Sequence, residues 1–293
     1  MASIQPEFFP ESIVSYVPFL ARDKRYETER PYATDFPVDD IDGADVTNHV
    51  MEIVPVTFHN VRCLKEPLSL DSNGVCFIKA TTSLRAGEAT IERTPAMEQY
   101  AREVIAVLRD RFPQYTDIQC MDFQVRKRSP AFPHGHKQIK VDHAQPATVP
   151  HTDFSRRGAY LRMEDIFPDQ EALYRQRQFD LINVWRVLEG PNDDWPLAVC
   201  DYSSIDVEHD TTVNDALHLT RVGENWLLHH SDAHRWYYLS GMEEDDLIVF
   251  RNVDSSGELS RCFHVAFNNP SAQGSLRHSV EIRLVAFREG QMA

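Results

Sequence analysis

The sequence predicts a mainly β fold, an antiparallel barrel or sandwich with a helical layer on its outside, and three observations carry that expectation. Six short runs rich in Val, Ile, Leu, Trp, Tyr and Phe crowd the second half of the chain, each ended by charged or small residues. One segment of the first half has helical periodicity with clear signals at both ends. No internal repeat, low-complexity tract or linker divides the 293 residues, a length that all-β barrels often fill as one domain.

Taken in order, residues 1–50 are rich in Pro, Asp and Glu and show no long periodic pattern, so they are expected to form an N-terminal arm over a domain made by residues 51–293. Residues 54–61 and 74–79 read as strands, separated by the polar turn Asp71-Ser72-Asn73-Gly74. A helix then opens at Thr94-Pro95, where Thr94 suits the N-cap and Pro95 the first helical position, and closes at Phe112-Pro113. Met97, Tyr100, Ala101, Val104, Ile105 and Leu108 make one apolar face, which fits a helix packed on the outer side of a sheet. The stretch 129–150 carries Pro130, Pro133, Pro146 and Pro150 together with His134, His136 and His143, and reads as a loop. A short polar helix is expected within 168–178. Strands are expected at 181–188, 196–202, 234–239, 246–251, 261–267 and 278–287.

Composition narrows the partners. With 42% hydrophobic residues the chain can bury a sizeable core, and a formal charge of −15 argues against nucleic acid or an anionic membrane as the main partner. Any pocket for an anion must therefore concentrate positive charge locally. Five cysteines at irregular spacing, without a C-x-x-C, fit reduced thiols in a cytoplasmic protein. The start of the chain has no basic leader, and no apolar stretch is long enough to span a bilayer.

The chemistry-bearing residues are His151-Thr152-Asp153 and, much later, His264. In an extended segment residues i and i+2 point the same way, so His151 and Asp153 can approach one metal from a single strand end. An isolated H-x-D is a weak signal. It gains weight from His264 in the strand-like run 262–267, and from Arg277 and Ser279 that follow it. Two imidazoles and one carboxylate can occupy one face of an octahedral iron(II), leaving three positions for a cosubstrate and O2. Arg277 and Ser279 can grip the far carboxylate of 2-oxoglutarate. Alternation continues through Glu281 and Arg283 on the same face, so Arg283 is either a competing anchor or an ion-pair partner of Glu281. Other polar clusters point elsewhere: the run from His229 to His234 lacks structural-zinc spacing and reads as a loop entering the strand at Trp236. Arg156 and Arg157 fit either a surface pair or a greeting for an acidic substrate, and Cys262 a buried, inert thiol. Serine-nucleophile and phosphate-loop motifs are absent.

The ordered set resembles the double-stranded β-helix iron(II)/2-oxoglutarate oxygenases. More narrowly, it is similar to the tailoring family that includes gibberellin desaturase-like enzymes and relatives of the cephem-methoxylase chain. The resemblance rests on Glu29-Arg30-Pro31-Tyr32, Ser69-Leu70-Asp71-Ser72-Asn73-Gly74, His151-Thr152-Asp153-Phe154-Ser155 and Ile182-Asn183-Val184-Trp185-Arg186. Trp236-Tyr237-Tyr238, Asp254-Ser255 and Arg277-His278-Ser279-Val280-Glu281-Ile282-Arg283 complete it. Two departures are Val187, where the family tends to have Pro, and His278, where it favours Glu.

The resemblance implies a distorted double-stranded β-helix (a cupin-like jelly roll) with a supporting helical layer. It further implies that His151, Asp153 and His264 hold Fe(II), that Arg277 with Ser279 receives the C5 carboxylate of 2-oxoglutarate, and that at most one of Asn183 and Arg186 contacts cosubstrate or substrate. The expected reaction is hydroxylation, desaturation or oxidative ring closure of a small secondary-metabolite intermediate, since related halogenases replace the metal carboxylate that Asp153 supplies. Two other classes stay open: a cupin-like small-molecule binder or inactive homologue, and a zinc hydrolase built on the same three side chains.

Overall fold

In a computed structural model, residues 11–133 and 143–291 are described, with side chains to Glu289. The strands, in chain order, are β1 (Ser12–Leu20), β2 (Tyr32–Thr34), β3 (Met51–Asn60), β4 (Val75–Lys79), β5 (Tyr115–Lys127) and β6 (Arg177–Val187). They continue as β7 (Leu197–Cys200), β8 (Thr211–Leu217), β9 (Val222–Leu228), β10 (Trp236–Tyr238), β11 (Asp246–Asp254), β12 (His264–Ala266) and β13 (His278–Gln291). Three helices matter here: the single turn α1 (Leu70–Asn73), α2 (Pro95–Arg111) and α3 (Arg156–Ile166).

There are two five-stranded sheets, ordered β1-β3-β10-β7-β12 and β4-β11-β6-β13-β5, and a three-stranded sheet, β2-β8-β9, which His151 bridges to β12 of the first. Trp185, Val187, Ile248 and Phe250 of the second sheet meet Leu197, Val199 and Tyr237 of the first in one core, so the large sheets face each other as a jelly roll. Among the described residues no helix is long and apolar enough to cross a membrane.

The second sheet is buried on both faces. Ile182 and Val184 of β6, with Val280, Ile282 and Leu284 of β13, pack outward against Met97, Tyr100, Ala101, Val104 and Leu108 of α2. Burying each large apolar side chain contributes about 1.5–3 kcal/mol, which is why a helix with one apolar stripe docks there. The alternate residues, Asn183 on β6 and Ser279, Glu281 and Arg283 on β13, consequently project into the barrel. A buried ion-pair cluster ties the same sheet together: Asp180 of β6 accepts from Arg251 Nε of β11 at 2.8 Å, and also from Arg288 of β13 and Tyr115 of β5.

Several expectations meet a different outcome. The expected N-terminal arm contributes a full edge strand, β1, whose alternating burial pairs it antiparallel to β3. Within β1, Pro18 is tolerated because it sits on an edge strand where a missing N–H costs little. The Asp71–Gly74 turn is the helical turn α1, capped by Ser69 and ended by Gly74 at φ 75°; a Cβ there would lie 2.5 Å from the Arg261 carbonyl carbon. Strand β5 was missed because polar residues interleave its buried Tyr115, Ile118, Met121, Phe123 and Val125. The polar helix expected in 168–178 shrinks to the single turn Glu171–Tyr174, while α3 lies just upstream.

Removing the Asp180 carboxylate leaves Arg251 buried without its partner. We expect Asp180→Ala to lower unfolding stability by about 3–5 kcal/mol in urea titrations; a change below 1 kcal/mol, roughly that of an exposed pair, would show that the cluster is dispensable.

Candidate metal centre

The segment 150–155 is extended and clamped from three sides. His151 N donates to His264 O at 3.2 Å, and His264 N returns a bond to His151 O at 2.9 Å, so the two histidines face each other across a narrow backbone pair. Thr152 N donates to Trp226 O at 3.0 Å, and Asp153 N to Asn252 Oδ1 at 2.9 Å. Ser155 then caps α3 and also bonds Glu224 of β9. Gly158 lets that helix approach: a Cβ at this position would lie 1.9 Å from Glu224 O.

This clamp brings His151, Asp153 and His264 together, with one ligand atom of each within 4.8 Å of the others. Asp153 Oδ1 stands 3.5 Å from His151 Nε2 and 3.7 Å from His264 Nε2. Donors bound at about 2.1 Å to one ion in neighbouring positions stand about 3 Å apart, so only a small contraction is needed. Tautomers decide the fit. His151 Nδ1 lies 2.7 Å from Val149 O and His264 Nδ1 3.4 Å from Cys262 O. A carbonyl only accepts, so each Nδ1 donates and each Nε2 keeps its lone pair. Two lone pairs and a carboxylate oxygen then converge on one point, an arrangement that repels itself without a cation between them.

The surroundings preserve these charge states. Burial, and next the neighbouring His264, push the His151 imidazole below its ordinary pKa, towards the neutral form that ligates metal. Burial opposes ionisation of Asp153, but the Arg283 guanidinium beside it outweighs that and holds the carboxyl well below the usual carboxylate range. Its second oxygen accepts from Asn183 Nδ2 at 2.7 Å and Arg283 Nε at 2.9 Å, leaving Oδ1 for the metal position. Glu281, buried beside Asp153, is raised by desolvation and by that negative neighbour.

A narrow cavity lined by Arg126, Trp185, Leu197, Arg277 and Glu281 adjoins all three ligand residues. Arg277 is 2% exposed, donates from Nε to Ser279 Oγ at 3.1 Å and from Nη1 to Trp195 O at 2.8 Å, and lies 4.9 Å from the Trp185 ring centre. Its guanidinium has no carboxylate partner among the described residues. Burial, and then the like charge of Arg126, pull its pKa down to about 9.

Other expected residues go elsewhere. Arg283 pairs with Asp153, Glu281 and Asp122, so both the metal carboxylate and the expected Glu281 partner claim it. Asn183 serves Asp153 directly. Of the pair Asn183 and Arg186, of which at most one was expected to reach cosubstrate or substrate, Arg186 lies on the α2 side of β6, donates to Val187 O and Leu84 O, and sits 5.3 Å from the Tyr100 ring centre. Arg157 pairs with Glu224 and Arg156 with Ser255 O. His229 and His234 bond Leu20 O and Asp210, consistent with the expected loop. Burial raises the Cys262 thiol well above its ordinary value, and His134 and His136 lie outside the described residues. Sequence reading missed Arg126 and Asn252. Alternation along β5 could have found the first, whereas Asn252 sits at a register shift of β11 that no pattern announces.

A jelly roll that gathers two imidazoles and a carboxylate at one wall of a cavity defines the facial-triad class of mononuclear non-haem metal proteins. The chain belongs to the family described as the oxidoreductase/YMDC permease-like domain, whose model matches residues 17–287. Aspirochlorine biosynthesis protein N of Aspergillus oryzae is 34% identical over 46% of this chain and 58% of its own length. The hydroxylase/desaturase efuI of Hormonema carpetanum is 26% identical over 81% of this chain and 84% of its own. Among solved structures, the iron and alpha-ketoglutarate-dependent endoperoxidase NvfI superposes with a TM-score of 0.79 at 24% identity, over 95% of this chain and 98% of that one, which shows a shared fold.

Asn183→Ala and Arg283→Leu each strip a hydrogen bond from the metal carboxylate. Each is expected to weaken iron(II) affinity by about 10–100-fold in anaerobic chelator competition. Unchanged affinity in both would mean that Asp153 is held without them.

Proposed function

We propose that this chain is a single-domain iron(II)/2-oxoglutarate-dependent oxygenase that oxidises a C–H bond of a small secondary-metabolite intermediate. The observation that carries it is the pairing of two demands in one cavity: three donors that converge on one point, which calls for a cation, and a buried guanidinium that no carboxylate of the described residues pairs with, which calls for an anion. 2-Oxoglutarate answers the second while chelating the metal that answers the first. Relatives named hydroxylase/desaturase and Fe(II)/2-oxoglutarate-dependent dioxygenase support the same reading.

Iron(II), when bound, supplies activation of O2 coupled to decarboxylation of 2-oxoglutarate to succinate. The chain's own residues do the rest. Arg277 pairs with the C5 carboxylate; the Ser279 hydroxyl, which already accepts from Arg277 Nε, turns its proton toward that carboxylate. Arg126 adds a second positive charge to the same cavity, and the Trp185 ring fixes the plane of the Arg277 fork. Arg283 is already engaged by three carboxylates, which favours Arg277 as the anchor. Phe132, Trp195 and Ala266 form an apolar cluster beside the site that excludes water. Five unpaired cysteines support a reducing, cytoplasmic setting.

His264→Ala removes one of three ligands and should abolish succinate formation from 2-oxoglutarate; normal succinate production by that variant overturns the metal assignment. Arg277→Leu should weaken 2-oxoglutarate by about 2–5 kcal/mol in anaerobic titration, with iron(II) affinity much less affected. If Arg283→Leu produces that loss and Arg277→Leu does not, the anchor is Arg283. A protein that binds both ligands but never forms succinate would instead be a binder on the same scaffold.

A further inference from the structure

Two further cavities also have His151 as a wall, and they differ in character. One, of about 500 Å³, contains Arg157, Arg162 and Arg221, but each lies in ion-pair reach of Glu224, Asp122 or Asp165. Its charges are mutually satisfied. The second, of about 540 Å³, lies between β2, β8 and β9 and the loop 145–149, with walls such as Pro146, Val149, Leu217 and Leu227. Among the described residues no Lys or Arg lines it, and the one carboxylate there, Asp35, is paired with His218.

The apolar cavity contains one ordered polar device. His49 Nε2 lies 2.7 Å from Asn214 Oδ1, Asn214 Nδ2 donates to Asn225 Oδ1 at 2.9 Å, and Asn225 Nδ2 donates to Thr152 O at 3.1 Å. The last acceptor is a backbone carbonyl, which cannot donate, so the direction of the whole relay is set from that end. Asn225 must present its amide hydrogens to Thr152, Asn214 must present its own to Asn225, and His49 must carry its proton on Nε2. His49 Nδ1 is left as a lone-pair acceptor, with no hydrogen-bond partner among the described residues. Burial favours this neutral imidazole, and Thr152 lies between the ligands His151 and Asp153.

We infer that His49 is a specificity-determining residue of the substrate site, its Nδ1 accepting a hydrogen bond from a hydroxyl group on a neutral, largely apolar substrate seated in the β2-β8-β9 cavity. The inference rests on the oxygenase reading, since it makes this cavity the approach to His151. Through Asn214 and Asn225 the same contact is registered against the peptide that carries two ligands, so a hydroxyl held at His49 fixes which carbon faces the metal position.

The test uses the full chain under anaerobic conditions with iron(II) and 2-oxoglutarate. The probes are a bicyclic sesquiterpene alcohol, its methyl ether and the corresponding carboxylic acid, titrated by calorimetry. The alcohol should bind about tenfold more tightly than the ether, the effect of one hydrogen bond in a dry pocket. That ratio should fall to one in His49→Phe, and drop in Asn214→Leu, which cuts the relay but keeps the imidazole. Long-range proton–nitrogen NMR of the unmutated chain should show His49 protonated on Nε2. Protonation on Nδ1, an alcohol no better than its ether, a preference that survives His49→Phe, tightest binding of the acid, or binding of none of the three overturns the inference. The visible band of the iron(II)–2-oxoglutarate chelate, read in the same samples, separates the two levels: a band without alcohol preference sinks only the role of His49, while no band sinks the oxygenase reading beneath it.

Discussion

The reciprocal backbone bonds between His151 and His264 are the constraint on which the site depends. A strand end and a loop, distant in sequence, are held as an antiparallel pair, and the two imidazoles emerge from it with ring centres 4.4 Å apart. Asp153 follows two residues later in the same extended segment, so one register sets the spacing of all three donors. Loss of that register would move every ligand at once, whereas loss of a side chain removes only one.

Around this pair the two faces of the sheet differ. On β6 and β13 outward residues build an apolar seam with α2, while the inner face mixes the polar Asn183, Ser279, Glu281 and Arg283 with the apolar Trp185 and Val187. An arginine buried among neutral groups would be costly, and the chain answers that cost differently at two of its inner arginines. Arg283 is surrounded by carboxylates and fastens Asp153 in place. Arg277 is surrounded by an indole ring, a hydroxyl and a carbonyl, and so retains an unmet demand for an anion. The difference lies in partners, not in residue type.

Much of this was legible in the sequence, for identifiable reasons. Strands β6, β11 and β13 have continuous apolar runs because both faces are buried, and α2 has a cap at one end and a single stripe. The candidate donors His151 and Asp153 were legible because extended residues two apart share a direction. Strands β5, β8 and β9 were not, since their polar outward residues dilute the signal and, in β8 and β9, few side chains are fully buried; in β1 a buried Ser15 between exposed Val14 and Tyr16 upsets the usual alternation. One motif offers Asn183 and Arg186 as alternatives, because residues three apart on a strand face opposite ways, and it is Asn183 that faces inward. The relay through His49 was out of reach, because its members come from three separate parts of the chain.

Arg186 also bears on how kinship should be interpreted. Its guanidinium laces together backbone carbonyls beside Val187 and Leu84 under the ring of Tyr100, a mechanical task that a lysine's point charge performs poorly. Evolution is then free to alter what the barrel oxidises while retaining this arginine as part of its wall. Invariance at such a position would record ancestry, and a catalogue of shared residues would rank it beside the ligands although it never meets them.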